Sequence, residues 1–234
     1  MSLLVCDSSL NLIISHVLYH STMVDEIVCI VNKPSQLMIY ILSVLEKSIS
    51  NFKVIGVTYD AMSIPLQGTI CTKMTKYLGE SGCDWVIPCD DDEFYVGDIR
   101  QDILAADSGG FNVLYQDGFC FYTTVEGDNL DLNPVRNMVY RDQFSENYAF
   151  RKAIHKTENF SKCLHGNHWI EFTVPSRAIN LKNLLIFHYH HRERRLFNDN
   201  KLKILSPLTS EQVKEKDLIK DTSLIEALDK RGLP

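Results

Sequence analysis

Four consecutive carboxylates, Asp90 to Glu93, are the part of this sequence with the clearest capacity for chemistry. They directly follow a short apolar run at 84–89, which predicts a buried strand. Open α/β sheets bind ligands at the carboxyl ends of such strands. Crowded carboxylates repel one another unless a cation neutralises them, and Mg²⁺ or Mn²⁺ prefers oxygen ligands. The cluster therefore favours a divalent metal site over its structural alternative, a solvated acidic turn.

Histidines supply a second group of candidate ligands. His188, His190 and His191 follow an apolar, strand-like run. Together with Asp92, one of these three histidines or His168 would complete an octahedral metal shell. A histidine-rich zinc site is the competing hypothesis, although thiolate partners at ligand spacing are missing. The third alternative is that these histidines are partly exposed polar residues without a ligand role.

The overall composition excludes several classes of protein. Of 234 residues, 45% are hydrophobic and 23% are charged, which excludes a disordered, collagen-like or coiled-coil chain. A formal net charge of -6 disfavours binding to nucleic acid through a basic surface. None of the eleven glycines belongs to a GxxxxGK[ST] or GxGxxG motif. A P-loop hydrolase and a nicotinamide-dependent oxidoreductase are therefore disfavoured.

The elements that must position these residues alternate in type over the first half of the chain. The predicted elements are strands at 27–31, 52–59 and 84–89 and helices at 10–19, 37–50 and 66–78. This order predicts right-handed βαβ units and a mostly parallel, doubly wound sheet flanked by helices. The pattern gives no element at 1–4.

Beyond residue 95 the periodicity weakens, and a smaller mixed region is expected. The predicted elements there are strands at 111–114, 119–124, 137–140 and 184–189 and a polar loop at 128–133. The last element is a charged amphipathic helix at 210–230, which Thr209 or Ser210 would cap and Gly232 would end. We expect a single α/β domain over residues 1–234.

The segment from Asp84 to Phe94, DWVIPCDDDEF, resembles the "DWV…D-x-DEF" segment of bacterial family 2-like glycosyltransferases of the GT-A fold. The resemblance implies that Asp90 and Asp92 form a DxD motif. In that family the motif holds a divalent cation against the diphosphate of a sugar nucleotide. More loosely, residues 152–168 are similar to the family's "K-x-I…G-x-H" segment, and residues 186–201 to its "HY…RS-x-x-x-F…K" segment.

The resemblance implies that different parts of the domain bind the nucleotide sugar and the acceptor. Residues 1–95 would bind the nucleotide sugar, residues 96–205 would bind the acceptor and complete the metal site, and residues 206–234 would form a C-terminal helix. The expected metal ligands are Asp90, Asp92 and His188, with His168 as the alternative. The expected substrate-binding residues are Asn32, Asp60, Gln67, Asp91, Lys152, His168 and Arg192.

Sugar transfer with inversion needs a carboxylate base beside the acceptor hydroxyl, because attack at the anomeric carbon requires removal of a proton. Asp117, Asp128 and Asp142 are candidates in the less regular middle of the chain, and the sequence does not choose among them or between inversion and retention. Three aromatic residues are candidates for stacking on a sugar or uracil ring, although aromatic residues near strands more often belong to the core. These are Trp85, Trp169 and Tyr189.

We therefore expect a metal-dependent glycosyltransferase that moves a sugar from a nucleotide-sugar donor to an unknown glycan or lipid-linked acceptor. The alternatives are a sugar-phosphate nucleotidyltransferase and a non-catalytic nucleotide-sugar-binding protein of the same fold. No apolar run approaches the ~18 residues of a transmembrane helix, and the N-terminus lacks secretory signal features. The seven scattered cysteines indicate reduced thiols. We expect a cytoplasmic protein, with a peripheral position at the inner face of the membrane as an option.

Overall fold

The computed structural model describes residues 1–6, 10–122, 134–143, 151–164, 166–191 and 208–233. In chain order its first elements are β1 (Ser2–Cys6), α1 (Ile13–Ser21), β2 (Ile27–Asn32), α2 (Gln36–Ser48), β3 (Phe52–Thr58), α3 (Ile64–Glu80), β4 (Trp85–Val86), β5 (Pro88–Asp90) and β6 (Glu93–Val96). Four of these strands form a parallel sheet with the order β3-β2-β1-β5.

Helices cover both faces of this sheet. Leu3 and Val5 of β1 pack in one hydrophobic cluster with residues of α1 and α2, whereas Leu4 packs in another with Ile70 and Met74 of α3. Successive side chains of a strand point to opposite faces, so the two clusters lie on opposite sides of the sheet. The predicted parallel sheet flanked by helices is confirmed.

The central strand β1 is the main element of this sheet that the sequence analysis missed. Leu3 and Val5 have no exposed surface, and Leu4 is also buried. A strand that is covered on both faces shows no alternation of polar and apolar residues, and a run of five carries too little pattern to be recognised.

The later elements are α4 (Ile99–Ser108), β7 (Val113–Tyr122), α5 (Pro134–Asn137), β8 (Tyr140–Arg141), β9 (Ile154–Lys156), β10 (Phe160–Leu164), β11 (Trp169–Phe172), β12 (Ala178–His191), α6 (Ser210–Glu215), β13 (Ile219–Lys220) and α7 (Ser223–Lys230). Five strands form a mixed sheet with the order β13-β8-β7-β12-β6, in which β12 is parallel to β7 and antiparallel to β6. Strand β9 joins this sheet to β4, and β10 and β11 form a separate antiparallel pair.

Three predicted elements differ in the structure. The strand predicted at 84–89 is two strands, because β4 pairs with β9 whereas β5 pairs with β1. The strand predicted at 137–140 is replaced by α5 and β8, with a helical turn that begins at a proline. The helix predicted at 210–230 is divided into α6 and α7, because Asp217 adopts a positive φ of 49° and β13 pairs with β8. Thr209 caps α6 as expected.

The polar loop predicted at 128–133 lies outside the described residues. Among the helices that the structure describes, none has both the length and the apolar character needed to cross a membrane. The assignment of residues 1–234 to one domain stays a prediction.

Candidate functional site

Several predicted site residues meet at the carboxyl edge of the parallel sheet. Cys6 at the end of β1 pairs with Asn32 at the end of β2, which in turn pairs with Thr58 of β3. The amide Nδ2 of Asn32 donates to the main-chain oxygen of Asp60 at 3.1 Å. Strand β5 ends at this same edge with Asp90, so Asn32, Asp60 and Asp90 share the position at which such sheets bind ligands.

Asp90 and Glu93 share one buried cation, the ammonium group of Lys152. Its Nζ lies 2.7 Å from Oδ2 of Asp90 and 3.1 Å from Oε1 of Glu93, and it donates to Oδ1 of Asn167 at 2.7 Å. The side chain of Lys152 is only 1% exposed. The amide of Gln67 donates to Oδ1 of Asp90 at 3.3 Å, so the carboxylate is held from two directions.

Burial and charge set the protonation of this group. Burial raises the pKa of Glu93 to about 7, although the neighbouring ammonium of Lys152 opposes the shift. Burial lowers the pKa of Lys152, but Asp90 and Glu93 together raise it well above its ordinary value. The lysine therefore stays protonated at neutral pH and provides a fixed internal counterion.

The second carboxylate of the run, Asp91, is engaged by the central strand. Its side chain is buried and accepts the backbone N–H of Cys6, and its own N–H donates to the oxygen of Leu4 at 3.2 Å. These bonds attach residues 90–93, which we call the carboxylate turn, to β1.

Asp92 is paired with His188. Nε2 of His188 lies 3.4 Å from Oδ1 of Asp92, and the backbone N–H of Tyr189 donates to the oxygen of Asp92 at 2.8 Å. Burial lowers the pKa of His188, but the negative charge of Asp92 raises it by more. The pKa of His188 therefore lies well above its ordinary value. The other ring nitrogen faces Sγ of Cys120 at 3.9 Å. Asp92 and Cys120 thus approach opposite nitrogens of one imidazolium, an arrangement unsuited to a shared zinc ion.

His168 lies at the rear of this group. Its Nδ1 is 2.7 Å from the backbone oxygen of Arg151. Burial lowers the pKa of His168, the charge of Lys152 lowers it further and that of Asp90 raises it. The bond to Arg151 places the imidazole beside the segment that carries Lys152.

The candidate bases are less closely connected to the turn. Asp117 forms an ion pair with Arg151 at 3.2 Å. Asp142 accepts a tyrosine hydroxyl at 3.1 Å. Among the described contacts, neither carboxylate touches Asp90 or Asp92. The residues that lie outside the described part of the chain are Asp128, Arg192 and the side chains of His190 and His191.

Gln116 is a buried polar residue that the sequence analysis did not single out. It is 1% exposed, and within the described part of the chain neither end of its amide has a hydrogen-bond partner. Alternation along β7 places Gln116 on the same face as Cys120, the face that meets His188. A buried amide is costly to leave unbonded, so this position favours a polar ligand beside it.

The residues of the carboxylate turn fit a hard divalent cation. Asp90, Asp92 and Glu93 face two cationic groups, Lys152 and His188, which leaves one negative charge uncompensated when Glu93 is ionised. Each carboxylate oxygen accepts more than one contact. Oxygen ligands of this type suit Mg²⁺ or Mn²⁺.

A separate cluster of ligand-type side chains lies behind the turn. Ligand atoms of His16, His20 and Cys89 are all within 4.8 Å of one another, and all three residues are buried. Nδ1 of His20 is bonded to the oxygen of His16 at 3.0 Å, and its Nε2 accepts the N–H of Tyr95 at 3.2 Å. Because both nitrogens of His20 are bonded to the backbone, only two ligands remain, too few for a zinc site. The four-residue spacing of the two histidines was the available sequence signal.

A scan against protein-family models matches none, and a search of curated proteins finds no relative. Among solved structures, the chain is similar to HddC from Yersinia pseudotuberculosis, with a TM-score of 0.43 and 10% identity over 80% of this chain and 92% of that one. It is also similar to a protein described as a glucose-1-phosphate thymidylyltransferase from Bacillus anthracis in complex with sucrose, with a TM-score of 0.35 and 10% identity over 80% and 70% of the two chains.

Proposed function

We propose that the protein is a metal-dependent glycosyltransferase with a GT-A-like site, which moves a sugar from a nucleotide-sugar donor to an acceptor hydroxyl. One observation carries the proposal. Asp90 and Asp92, the DxD pair of the family resemblance, lie where a parallel sheet ends, and each is held by its own buried cationic side chain.

Lys152 has a positioning role in this proposal. Its ammonium group is almost completely buried, so it acts on a bound diphosphate through Asp90 and does not touch it. The ammonium group has almost no contact with water, whereas the side chain of Asp90 is 25% exposed and is accessible to a ligand. Together with Gln67, the lysine fixes the orientation of the Asp90 carboxylate before any ligand arrives.

His188 positions the second carboxylate in the same way. Its imidazolium faces Asp92 through Nε2, and a direct bond to a metal would first require loss of the Nε2 proton. We therefore assign His188 to holding Asp92, where the sequence alone predicted a metal ligand. Asp91 is bonded to β1 and fixes the position of the carboxylate turn.

Asp90 and Asp92 would hold Mg²⁺ or Mn²⁺ through carboxylate oxygens. When bound, the cation neutralises the charge that develops on the leaving diphosphate. Asn32 and Asp60, at the neighbouring strand ends, would bind the nucleoside part of the donor. The side-chain amide of Gln116 would form hydrogen bonds with polar atoms of the nucleotide sugar near His188. A cytoplasmic location stays a prediction.

The test is the release of free nucleoside diphosphate from a panel of nucleotide sugars, with Mn²⁺ and with a chelator. The proposal expects release with at least one donor that depends on the metal and is lost in Asp92→Asn. A nucleotidyltransferase would instead form pyrophosphate from a nucleoside triphosphate and a sugar 1-phosphate, and a non-catalytic protein would bind nucleotide sugars without turnover. Either result would replace the proposal.

A further inference from the structure

A cavity of about 200 Å³ lies next to the carboxylate turn, on the other side of the segment that carries Lys152. Its volume is below the ~300 to 1,000 Å³ typical of pockets for drug-sized ligands, so it has room for one small ring and not for a nucleotide. The lining residues used below are Tyr115, Arg151, His168, Trp169 and Asn180.

Two short segments build the wall between the cavity and the carboxylates. Residues 151–153 and 167–169 run side by side, joined by bonds from His168 Nδ1 to the oxygen of Arg151 at 2.7 Å and from the N–H of Ala153 to the oxygen of Asn167 at 3.2 Å. Along them Lys152 contacts Asn167 and the carboxylates, whereas their neighbours line the cavity. A single layer of backbone therefore separates the two.

An exposed tryptophan provides the apolar surface of the cavity. Trp169 is 51% exposed, and Tyr115 contacts it edge to face at a centroid distance of 6.3 Å. A large aromatic side chain left in water beside a concave site is a strong anchor for a ligand, because its burial is favourable and costs little side-chain freedom. An indole face is complementary to the C–H groups on one side of a pyranose ring.

The polar groups of the cavity are planar and already fixed. Nη2 of Arg151 lies 3.2 Å from Oδ1 of Asp117, and its Nη1 lies 3.4 Å from Oδ1 of Asn180. The guanidinium charge is thus compensated by Asp117, which favours a neutral ligand over an anionic one. Planar donors and acceptors side by side match the paired hydroxyl groups of a sugar.

We propose that this cavity binds a neutral pyranose ring of a glycan, stacked on Trp169 and hydrogen-bonded by Arg151 and Asn180, and that it is the acceptor subsite. The role as acceptor subsite rests on the proposed glycosyltransferase function, whereas the binding of a sugar to this cavity does not depend on that function. A lipid phosphate is less suited to the cavity, because its charge would meet a guanidinium that is already paired and its chain would exceed the volume.

The experiment measures binding of methyl pyranosides of glucose, galactose, mannose and N-acetylglucosamine by saturation-transfer NMR, with decyl phosphate as the lipid probe. At least one pyranoside should bind the wild-type protein, and Trp169→Ala should remove the signal. Arg151→Met should weaken binding roughly tenfold through the lost hydrogen bonds. Trp85→Phe is the matched control, because the only other tryptophan lies outside the cavity.

Fluorescence of the Trp85→Phe variant locates the ligand, since Trp169 is then the single indole, and its emission should shift on sugar addition. The absence of binding by every pyranoside, binding that survives Trp169→Ala, or binding of decyl phosphate alone would overturn the sugar site. If pyranosides bind but no nucleotide sugar is turned over, the sugar site stands and the glycosyltransferase fails. If turnover occurs and is unaffected by Trp169→Ala, the cavity is not the acceptor subsite.

Discussion

Two polar clusters meet at β5 and differ in their electrostatic character. Cys89 faces His16 at 3.3 Å in the core, whereas the next residue, Asp90, faces Lys152 at 2.7 Å. Burial lowers the pKa of His16 to about 4 and raises the pKa of Cys89 well above its ordinary value, so the first cluster is neutral at pH 7. The second contains carboxylates that face the fixed ammonium group of Lys152, and burial raises the pKa of one of them, Glu93, to about 7.

The comparison shows that ligand-type side chains alone do not make a site. The histidines and the thiol are closer to a metal-binding arrangement in space, yet His20 is bonded to the backbone at both nitrogens. The three carboxylates Asp90, Asp92 and Glu93 outnumber their two cationic partners, and they lie where strands end. We infer that position in the sheet and residual charge distinguish the functional cluster from the structural one.

The largest effect is expected from removing one charge of the DxD pair. Asp90→Asn and Asp92→Asn should each lower nucleoside diphosphate release at least ~100-fold, because the cation and the diphosphate lose a ligand. Stability should change much less than activity, as thermal unfolding would show. Asp25→Asn, in an exposed ion pair with Arg100, is the matched control and should leave release unchanged. Full activity in both DxD variants would mean that the neutral cluster, or another region, performs the chemistry.

The second largest effect is expected from removing the buried counterion Lys152. Lys152→Met should lower the free energy of unfolding by about 3 kcal/mol, because the Glu93 carboxyl, which is 2% exposed, would remain buried without its partner. Urea unfolding measures it. Adding Glu93→Gln to Lys152→Met should restore part of the loss, whereas Arg100→Met should cost less than ~1 kcal/mol. A Lys152→Met protein as stable as wild type would show that the carboxylates are not desolvated.

Part of this arrangement could be predicted from the sequence. The parallel sheet followed from strong local periodicity, and Asp90 followed from its position at the end of a buried strand. Asn32 followed only from the resemblance to the glycosyltransferase family. The contact between Lys152 and Asp90 joins residues 62 positions apart, and the contact between Cys120 and His188 joins residues 68 apart. Pattern and spacing carry no information about such pairs, which depend on how β7, β9 and β12 pair.

The smallest and most specific effect is expected when the pH is lowered, at the neutral cluster of His16, His20 and Cys89. A histidine whose folded pKa is depressed contributes stability above its ordinary pKa of about 6.5, and loses it as pH falls towards the folded value. A fall in pH from 6.5 to 4 should therefore lower the free energy of unfolding by roughly 3 kcal/mol through His16. Glu93, with its raised pKa, acts in the opposite direction. The comparison of wild type with His16→Gln isolates the histidine.

Urea unfolding across this pH range should show the difference in free energy between the two proteins shifting in favour of His16→Gln as pH falls. A difference that is constant with pH would contradict the assignment of a buried neutral histidine. It would also remove the distinction between a neutral and a charged cluster on which the comparison depends.

The central claim is that the carboxylate turn holds a cation together with a diphosphate, and calorimetric titration of Mn²⁺ tests it most directly. The turn supplies too few ligands to enclose the ion, so phosphate oxygens must complete its coordination. Mn²⁺ should bind weakly to the protein alone and at least ~10-fold more tightly with a saturating nucleoside diphosphate. Asp92→Asn should abolish this difference. Equal Mn²⁺ affinity with and without every common nucleoside diphosphate would contradict the claim.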